Sequence, residues 1–261
     1  MSAFDIYVRN NVVYPILPAV FLLIILYFGK GYLMKLRKRA FAYFMNKMTD
    51  QYNKEADSIK RKLFNPMNDV VSRDWKLRNE GLIRILELGI GTGANLKYFP
   101  KGCRLIAVDW NSEMKPVFLE NCKKYPHVNT ENFIVAPAED MSAIEDDSID
   151  VVVCTLLLCS ADNVKRILQE IKRVLVQGGK FVFLEHVHAE PTTILSKVQS
   201  FLTVTKIWPI LCLGCELNRH TGDLIEKAGF SEVSFERINI GSGRIGVISF
   251  IRSHIGGFAV K

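Results

Sequence analysis

Three glycines at alternate positions close a short apolar run, Ile83-Arg84-Ile85-Leu86-Glu87-Leu88-Gly89-Ile90-Gly91-Thr92-Gly93-Ala94-Asn95. An aliphatic run this short, stopped by glycine, reads as a buried strand of a parallel sheet. Gly89, Gly91 and Gly93 then make a turn whose backbone can approach a ligand more closely than any Cβ would permit. Twenty residues after Gly89, a second apolar run, Arg104-Leu105-Ile106-Ala107-Val108, ends in Asp109. In a doubly wound fold that position carries the acid that accepts hydrogen bonds from ribose hydroxyls. Turn and acid together predict an α/β chain that holds a nucleoside-bearing ligand at the carboxyl ends of its strands.

Dinucleotide enzymes share that pair, and Ala94 even completes their pattern of small residues. Two features favour a different ligand. Glu87 lies two residues before the first glycine, and the glycines continue to Gly93, which resembles motif I of the class I methyltransferases that bind S-adenosylmethionine. That ligand has no pyrophosphate, and an acid is welcome beside its sulfonium and ammonium charges. No Tyr-x-x-x-Lys or comparable hydride-transfer group follows the turn, which argues against an oxidoreductase. The cofactor-binding candidates at this stage are Glu87, Gly89, Gly91, Gly93 and Asp109.

From residue 82 strands and helices alternate regularly: strand 82 to 88, helix 93 to 99, strand 103 to 109, helix 112 to 124, strands 132 to 136 and 149 to 156, helix 162 to 176, strand 180 to 186. This rhythm predicts a doubly wound, Rossmann-like parallel sheet with helices on both faces. After the third strand, Val135-Ala136-Pro137-Ala138-Glu139-Asp140-Met141 resembles the segment where class I methyltransferases grip adenine, which adds the backbone of Ala138 and the carboxylate of Glu139 to the candidates. Asp150 to Cys159 resembles motif IV; it adds Thr155 and ends in Leu156, Leu157 and Leu158, so the acceptor side is expected to be apolar. Gln177-Gly178-Gly179 marks the turn into the next strand, which runs into Glu185-His186. His186 stands where a base is wanted, with Glu185 as the group that orients it; the alternative is that both satisfy hydrogen bonds at a strand end.

The positive charge is concentrated at one end. Residues 1 to 80 hold 14 Lys and Arg against 7 Asp and Glu, and residues 81 to 261 hold 20 of each. A neutral domain lacks the basic stripe that nucleic acid requires, so no nucleic-acid partner is expected. Between Arg9 and Lys30 lie twenty uncharged residues, almost all aliphatic or aromatic from Val12 to Phe28. As a helix they would rise about 30 Å, enough to cross a bilayer core; Pro15 and Pro18 leave room for a bent span or one lying in a single leaflet. Lys30, Lys35, Arg37, Lys38 and Arg39 follow, which by the positive-inside rule places the domain in the cytosol. Residues 1 to 30 are thus read as a membrane anchor, 31 to 80 as a basic juxtamembrane and helical region, and 81 to 261 as the catalytic domain. Within the middle region residues 38 to 64 have helical spacing, either as a cover for the glycine turn or as a linker under the membrane. The apolar run from Ile194 to Trp208 is a second candidate membrane contact. Of the six cysteines three lie in or beside expected strands among aliphatic neighbours, as expected of free thiols in a reducing compartment. Cys212 and Cys215 form a Cys-x-x-Cys pair, but no second pair or histidine cluster accompanies it in the sequence, so no metal is expected.

The motifs taken in order, Glu-Leu-Gly-x-Gly-Thr-Gly-Ala-Asn at 87 to 95, Val-Val-Cys-Thr-Leu-x-Leu-Cys-Ser at 152 to 160 and Glu-His-Val at 185 to 187, resemble the membrane-anchored alkyl thiol S-methyltransferases. Trp208, Gly214-Cys215-x-Leu217-x-Arg219-x-Thr221 and Ala228-Gly229-Phe230 agree with that family's distal signature. The resemblance implies an S-adenosylmethionine-dependent enzyme that methylates hydrogen sulfide and hydrophobic exogenous thiols at the endoplasmic reticulum membrane and lipid droplet surface. Other readings are methylation of another small hydrophobic or lipid-like acceptor, and a non-catalytic membrane scaffold; the intact glycines and Asp109 weigh against the scaffold.

Overall fold

The computed structural model describes residues 2 to 9, 13 to 241 and 246 to 261. The chain divides into two units, Met1–Tyr43 and Phe44–Lys261. A short helix, α1 (Ala3–Val8), precedes one continuous helix, α2 (Tyr14–Phe64), that contains Pro18. The apolar segment and the helix expected over 38 to 64 are therefore a single element. Among the described residues no helix is long and apolar enough to cross a membrane. Residues 10 to 12 of the apolar run, and several side chains farther along it, lie outside the described part. Residues 65 to 80 contain a 3-10 turn, Asn65–Asp69, and the short helix α3 (Trp75–Asn79), whose first amides are capped by Asp74.

The larger unit is built on seven strands: β1 (Ile83–Leu88), β2 (Cys103–Val108), β3 (Val128–Ile134), β4 (Ile149–Thr155), β5 (Leu175–His186), β6 (Glu232–Asn239) and β7 (Ser253–Val260). Their order in the sheet is β3-β2-β1-β4-β5-β7-β6. The first five run parallel, and β7 lies antiparallel to both β5 and β6. The mixed sheet corrects the all-parallel expectation. Alternate residues of the central strands feed two cores: Ile83, Ile85, Val151, Val153 and Val182 pack on one face with Phe64 and with Phe118 of α4 (Met114–Cys122), while Leu86, Leu88, Val152, Cys154, Phe181 and Phe183 pack on the other with α5 (Val164–Val174). Burial on both faces is why these strands read as continuous apolar runs.

Four departures from the sequence reading have local causes. Residues 93 to 99 form a turn and a single 3-10 turn, Leu96–Tyr98, because Gly93 keeps φ at +83° and Phe99 is extended ahead of Pro100. Strand β3 begins four residues early, at Val128; as an edge strand with a register shift against Leu105 and Ile106, it carries polar residues that hide the strand pattern. The Gln177-Gly178-Gly179 turn survives as a bulge inside β5, with a register shift between Ile149 and Val151 and φ of +77° at Gly178. The hairpin β6–β7 lies beyond the regular alternation, and Gly256-Gly257 disguises β7. A Cβ at Gly257 would stand 2.1 Å from the Ser234 carbonyl, so the close approach of these two strands excludes any side chain there.

After β5 the chain makes helices α6 (Ile194–Val204), α7 (Ile207–Leu211) and α8 (Thr221–Glu226), and α9 (Val247–Phe250) precedes β7. Helix α6 has its polarity reversed. Ser196, Gln199 and Thr203 point inward, Gln199 bonding the Ala189 amide and the Phe250 carbonyl, while Ile194, Phe201 and Val204 are 61 to 81% exposed.

Candidate functional site

The carboxyl ends of β1, β2, β4 and β5 lie side by side in the sheet, and the site is assembled there. Gly89, Gly91 and Gly93 adopt φ of +67°, +53° and +83°, a region that costs an L-residue roughly 1–2 kcal/mol. A Cβ at Gly89 would meet Leu157 Cδ1 at 2.4 Å, whereas a Cβ at Gly91 would find only the Gly89 carbonyl at 3.9 Å. The middle of the turn is therefore open on the side where a ligand would lie. Asp109 ties the turn down: its carboxylate accepts from the Gly91 amide at 2.9 Å and from the Asn111 amide at 2.8 Å. These two bonds fix the carboxylate at the carboxyl end of β2, beside the turn.

Glu87 is fully buried at the end of β1, with Oε1 accepting from Asn95 Nδ2 at 2.6 Å and Oε2 without a protein partner. Asn95 Nδ2 also donates to Thr155 Oγ1 at 2.9 Å, and its carbonyl oxygen accepts from Lys60 Nζ at 2.8 Å. Lys60 is itself buried and donates a second bond, to Asn53 Oδ1 at 2.7 Å, while Asn53 Nδ2 reaches the Ala94 carbonyl at 2.9 Å. A hydrogen-bonded line thus runs from α2 through the glycine turn to the ends of β1 and β4. Burial pushes the Glu87 carboxyl up to about 8 and pulls the Lys60 amine down to about 7. A buried acid with one unpartnered oxygen, beside an open turn, fits the cationic end of S-adenosylmethionine.

Helix α2 packs beside the turn from Thr49 to Lys60. Thr49 bonds Thr92 at 3.0 Å, and Tyr98 donates to Asp57 at 2.9 Å. Tyr52 bonds His254 Nε2 at 3.1 Å. From Thr49 onward the segment packs beside the glycine turn, as the cover reading expects. Lys60, Asn53 and Asn95 are absent from the residues picked out by sequence, though a signal existed: Tyr52, Ala56 and Lys60 recur every four residues, and the first two are apolar. That spacing puts Lys60 on the buried face.

Ala138 is buried after β3. Glu139 has a structural employment, since its Oε1 accepts from the Asp162 and Asn163 amides at 3.0 and 3.1 Å at the start of α5. Where β4 ends, Leu156 has φ of +55°, a strained conformation for a leucine. Glu185 holds the bend, accepting from the Leu157 amide at 3.0 Å and from the Cys154 thiol at 3.3 Å. His186, the next residue on the strand, leaves on the opposite face, with Nε2 3.0 Å from Cys215 Sγ and Nδ1 buried without a partner. The expectation that Glu185 orients His186 is corrected accordingly: adjacent strand residues face apart, and Glu185 orients the β4 exit instead.

Cys215 also donates to Cys159 Sγ at 3.6 Å and accepts from Trp208 Nε1 at 3.3 Å. All six cysteines are free. A histidine and two cysteines therefore do gather, from three separate segments, with Cys159 and not Cys212 as the neighbour of Cys215. Arg219 fastens this corner, donating to the Leu158 and Ala161 carbonyls at 2.7 Å each and pairing with Glu216 at 2.8 Å. The walls are Trp208, Leu217, Leu202 and Phe250.

A family model described as a methyltransferase domain matches residues 86–183. Among curated proteins the chain is similar to Thiol S-methyltransferase TMT1A of Homo sapiens, 38% identical over 86% of this chain and 87% of that protein. It is similar also to Thiol S-methyltransferase TMT1B of Homo sapiens, 39% identical over 77% of this chain and 79% of that protein. Among solved structures, a Haloferax volcanii methyltransferase in complex with the Trm112 activator aligns with a TM-score of 0.60 at 18% identity, covering 85% of this chain and 96% of that one. A SAM-dependent methyltransferase of Thermotoga maritima aligns with a TM-score of 0.54 at 16% identity, over 84% and 97% of the two chains. At such identities these last two show the fold alone.

Proposed function

The chain belongs to the thiol S-methyltransferase family, and from that premise we propose that it moves the methyl group of S-adenosylmethionine to the sulfur of small hydrophobic thiols, hydrogen sulfide included. When bound, that cofactor supplies a methyl group already activated on a sulfonium. The protein's own task is to position donor and acceptor and to keep the pocket dry. Gly89 to Gly93 and Asp109 hold the nucleoside, Glu87 faces its cationic end, and the Leu156 to Cys159 bend with Trp208 and Leu217 surrounds the acceptor. The observation that carries this reading is the apolar, sulfur-lined end of β4. A charged acceptor would leave its water behind there, at a cost of several kcal/mol, whereas an alkyl chain gains about 0.8 kcal/mol per buried methylene.

Initial rates along a series of linear alkyl thiols, with glutathione for comparison, test it. kcat/KM should climb roughly fourfold per methylene until the pocket is full, since 0.8 kcal/mol corresponds to that factor, and glutathione should be the poorest acceptor. Methylation of glutathione as fast as of butanethiol would overturn the apolar acceptor pocket.

The same proposal places the enzyme on the endoplasmic reticulum membrane and lipid droplet surface with its catalytic unit in the cytosol. Two observations support it. In the first unit Ile16, Leu17, Phe21, Leu22 and Ile25 of α2 are 49 to 64% exposed, which water does not favour. In the larger unit the reversed helix α6 and α7 present Ile194, Phe201, Val204, Ile210 and Leu211 outward as a ridge. Such a ridge suits the boundary between headgroups and acyl chains.

A further inference from the structure

Cys159, His186 and Cys215 come from the loop after β4, the end of β5 and the loop after α7, and they bring one imidazole nitrogen and two sulfurs within 4.8 Å of one another. All three residues are buried. We infer that they form a binding site for a soft divalent cation of the zinc class, with one coordination position left open. Zinc bonds of about 2.0–2.1 Å to nitrogen and 2.3 Å to sulfur put tetrahedral ligand atoms about 3.5 to 3.8 Å apart. The present separations, 3.0 Å from Nε2 to Cys215 Sγ and 3.6 Å between the sulfurs, are within about half an ångström of that geometry. An ion enters by replacing the thiol protons, which leave to solvent.

Two further arguments favour the ion. The Trp208 N–H points at Cys215 Sγ from 3.3 Å; indole can only donate, so it stabilises the sulfur as a thiolate. Charge decides the valence: two thiolates and a dication sum to zero, which an apolar wall of Leu217, Leu202 and Phe250 tolerates, whereas a monovalent ion would leave a buried net charge. Among the described residues no fourth Cys, His, Asp or Glu joins the group, and three protein ligands with a vacant fourth position is the pattern of catalytic zinc.

The open position takes the acceptor sulfur, a use that rests on the thiol methyltransferase reading. A thiol binds the ion as its thiolate, giving its proton to solvent, and the negative charge this adds is matched by the sulfonium of the bound cofactor. A sulfur lone pair then forms the new S–CH3 bond as the sulfonium–methyl bond breaks. The electron pair of that broken bond stays on the cofactor sulfur, and the product thioether, a poor zinc ligand, departs.

The test uses the full chain in detergent, reduced and stripped of metal, titrated with Co2+ as an optical probe. One equivalent should develop thiolate-to-cobalt charge-transfer absorption that Zn2+ abolishes. Cys159→Ser, Cys215→Ser and His186→Ala should lose it, and Cys122→Ser should keep it, with S-adenosylhomocysteine binding retained as evidence of fold. Zinc-edge X-ray absorption of the parent needs no variant and should show two sulfurs and one imidazole. Absence of the charge-transfer band, its survival in Cys159→Ser/Cys215→Ser, or a zinc shell without sulfur overturns the site. A chain that binds cobalt through these ligands yet methylates no thiol would keep the site and lose the proposed activity.

Discussion

Glu87 is an acid held in a dry place with half of its carboxylate unused, and that arrangement makes cofactor binding depend on pH. Its carboxyl is raised to about 8, chiefly by burial, so below pH 8 it is protonated before the ligand arrives. A cationic ligand stabilises the ionised form, so binding must expel a proton. Affinity for S-adenosylmethionine should therefore rise with pH, by up to about tenfold per unit, and level off above about 8. Calorimetry in buffers of different ionisation enthalpy would count the proton released. Glu87→Gln should remove the pH dependence and cost about 1.5–3 kcal/mol of binding; an unchanged profile would mean that another group faces the ligand's charge. Asp109→Ala is expected to be more severe, because the side chain both meets the ribose and anchors the amides of Gly91 and Asn111. Its fold should persist by circular dichroism while isothermal titration detects cofactor binding weakened by at least about tenfold, the equivalent of one charge-assisted bond.

Helices α2 and α6 illustrate how much an element's surroundings decide. The second half of α2 is amphipathic in the ordinary sense, with Tyr52, Ala56, Lys60 and Phe64 turned inward, and its buried lysine links helix to turn through Asn95. Helix α6 is inverted, with glutamine and threonine inside and phenylalanine and valine outside. Side chains already exposed in water contribute little to folding, so Phe201→Ser/Val204→Ser/Ile210→Ser should shift unfolding free energy by no more than about 0.5 kcal/mol per site. The same triple variant should bind lipid vesicles far more weakly, since each of these side chains would otherwise bury apolar surface worth about 1.5–3 kcal/mol. Vesicle co-sedimentation equal to that of the parent would separate the ridge from the membrane.

At the scale of the whole chain, two kinds of attachment are expected to act together. Deleting residues 1 to 29 removes the apolar segment but leaves Lys30, Lys35, Arg37, Lys38 and Arg39, each worth about 1 kcal/mol near an anionic surface. The shortened protein should float with anionic vesicles at low salt and dissociate as salt is raised, because exposed charges are screened beyond about 10 Å at 0.1 M. Full solubility at low salt would show that neither the basic cluster nor the α6–α7 ridge touches lipid.

The first strand, the glycine turn, the acid Asp109 at a strand end and the positions of the central strands along the chain were legible in the amino-acid sequence, because each is a local pattern: an apolar run, a left-handed turn, an acid at a strand end. The first four residues of the edge strand β3 and the hairpin β6–β7 were not, since polar residues and the Gly256-Gly257 pair carry no apolar alternation and are explained only by the neighbours they lie against. The family was legible too, in motifs whose spacing survives without coordinates. What tertiary structure alone decided is who meets whom across the chain. Lys60 reaches Asn95 from 35 residues away, Glu185 turns to Leu157 and away from His186, and the Cys215 sulfur finds that of Cys159 across 56 residues. Distances of that kind are set by packing of separate elements on a sheet, and no period in a sequence encodes them.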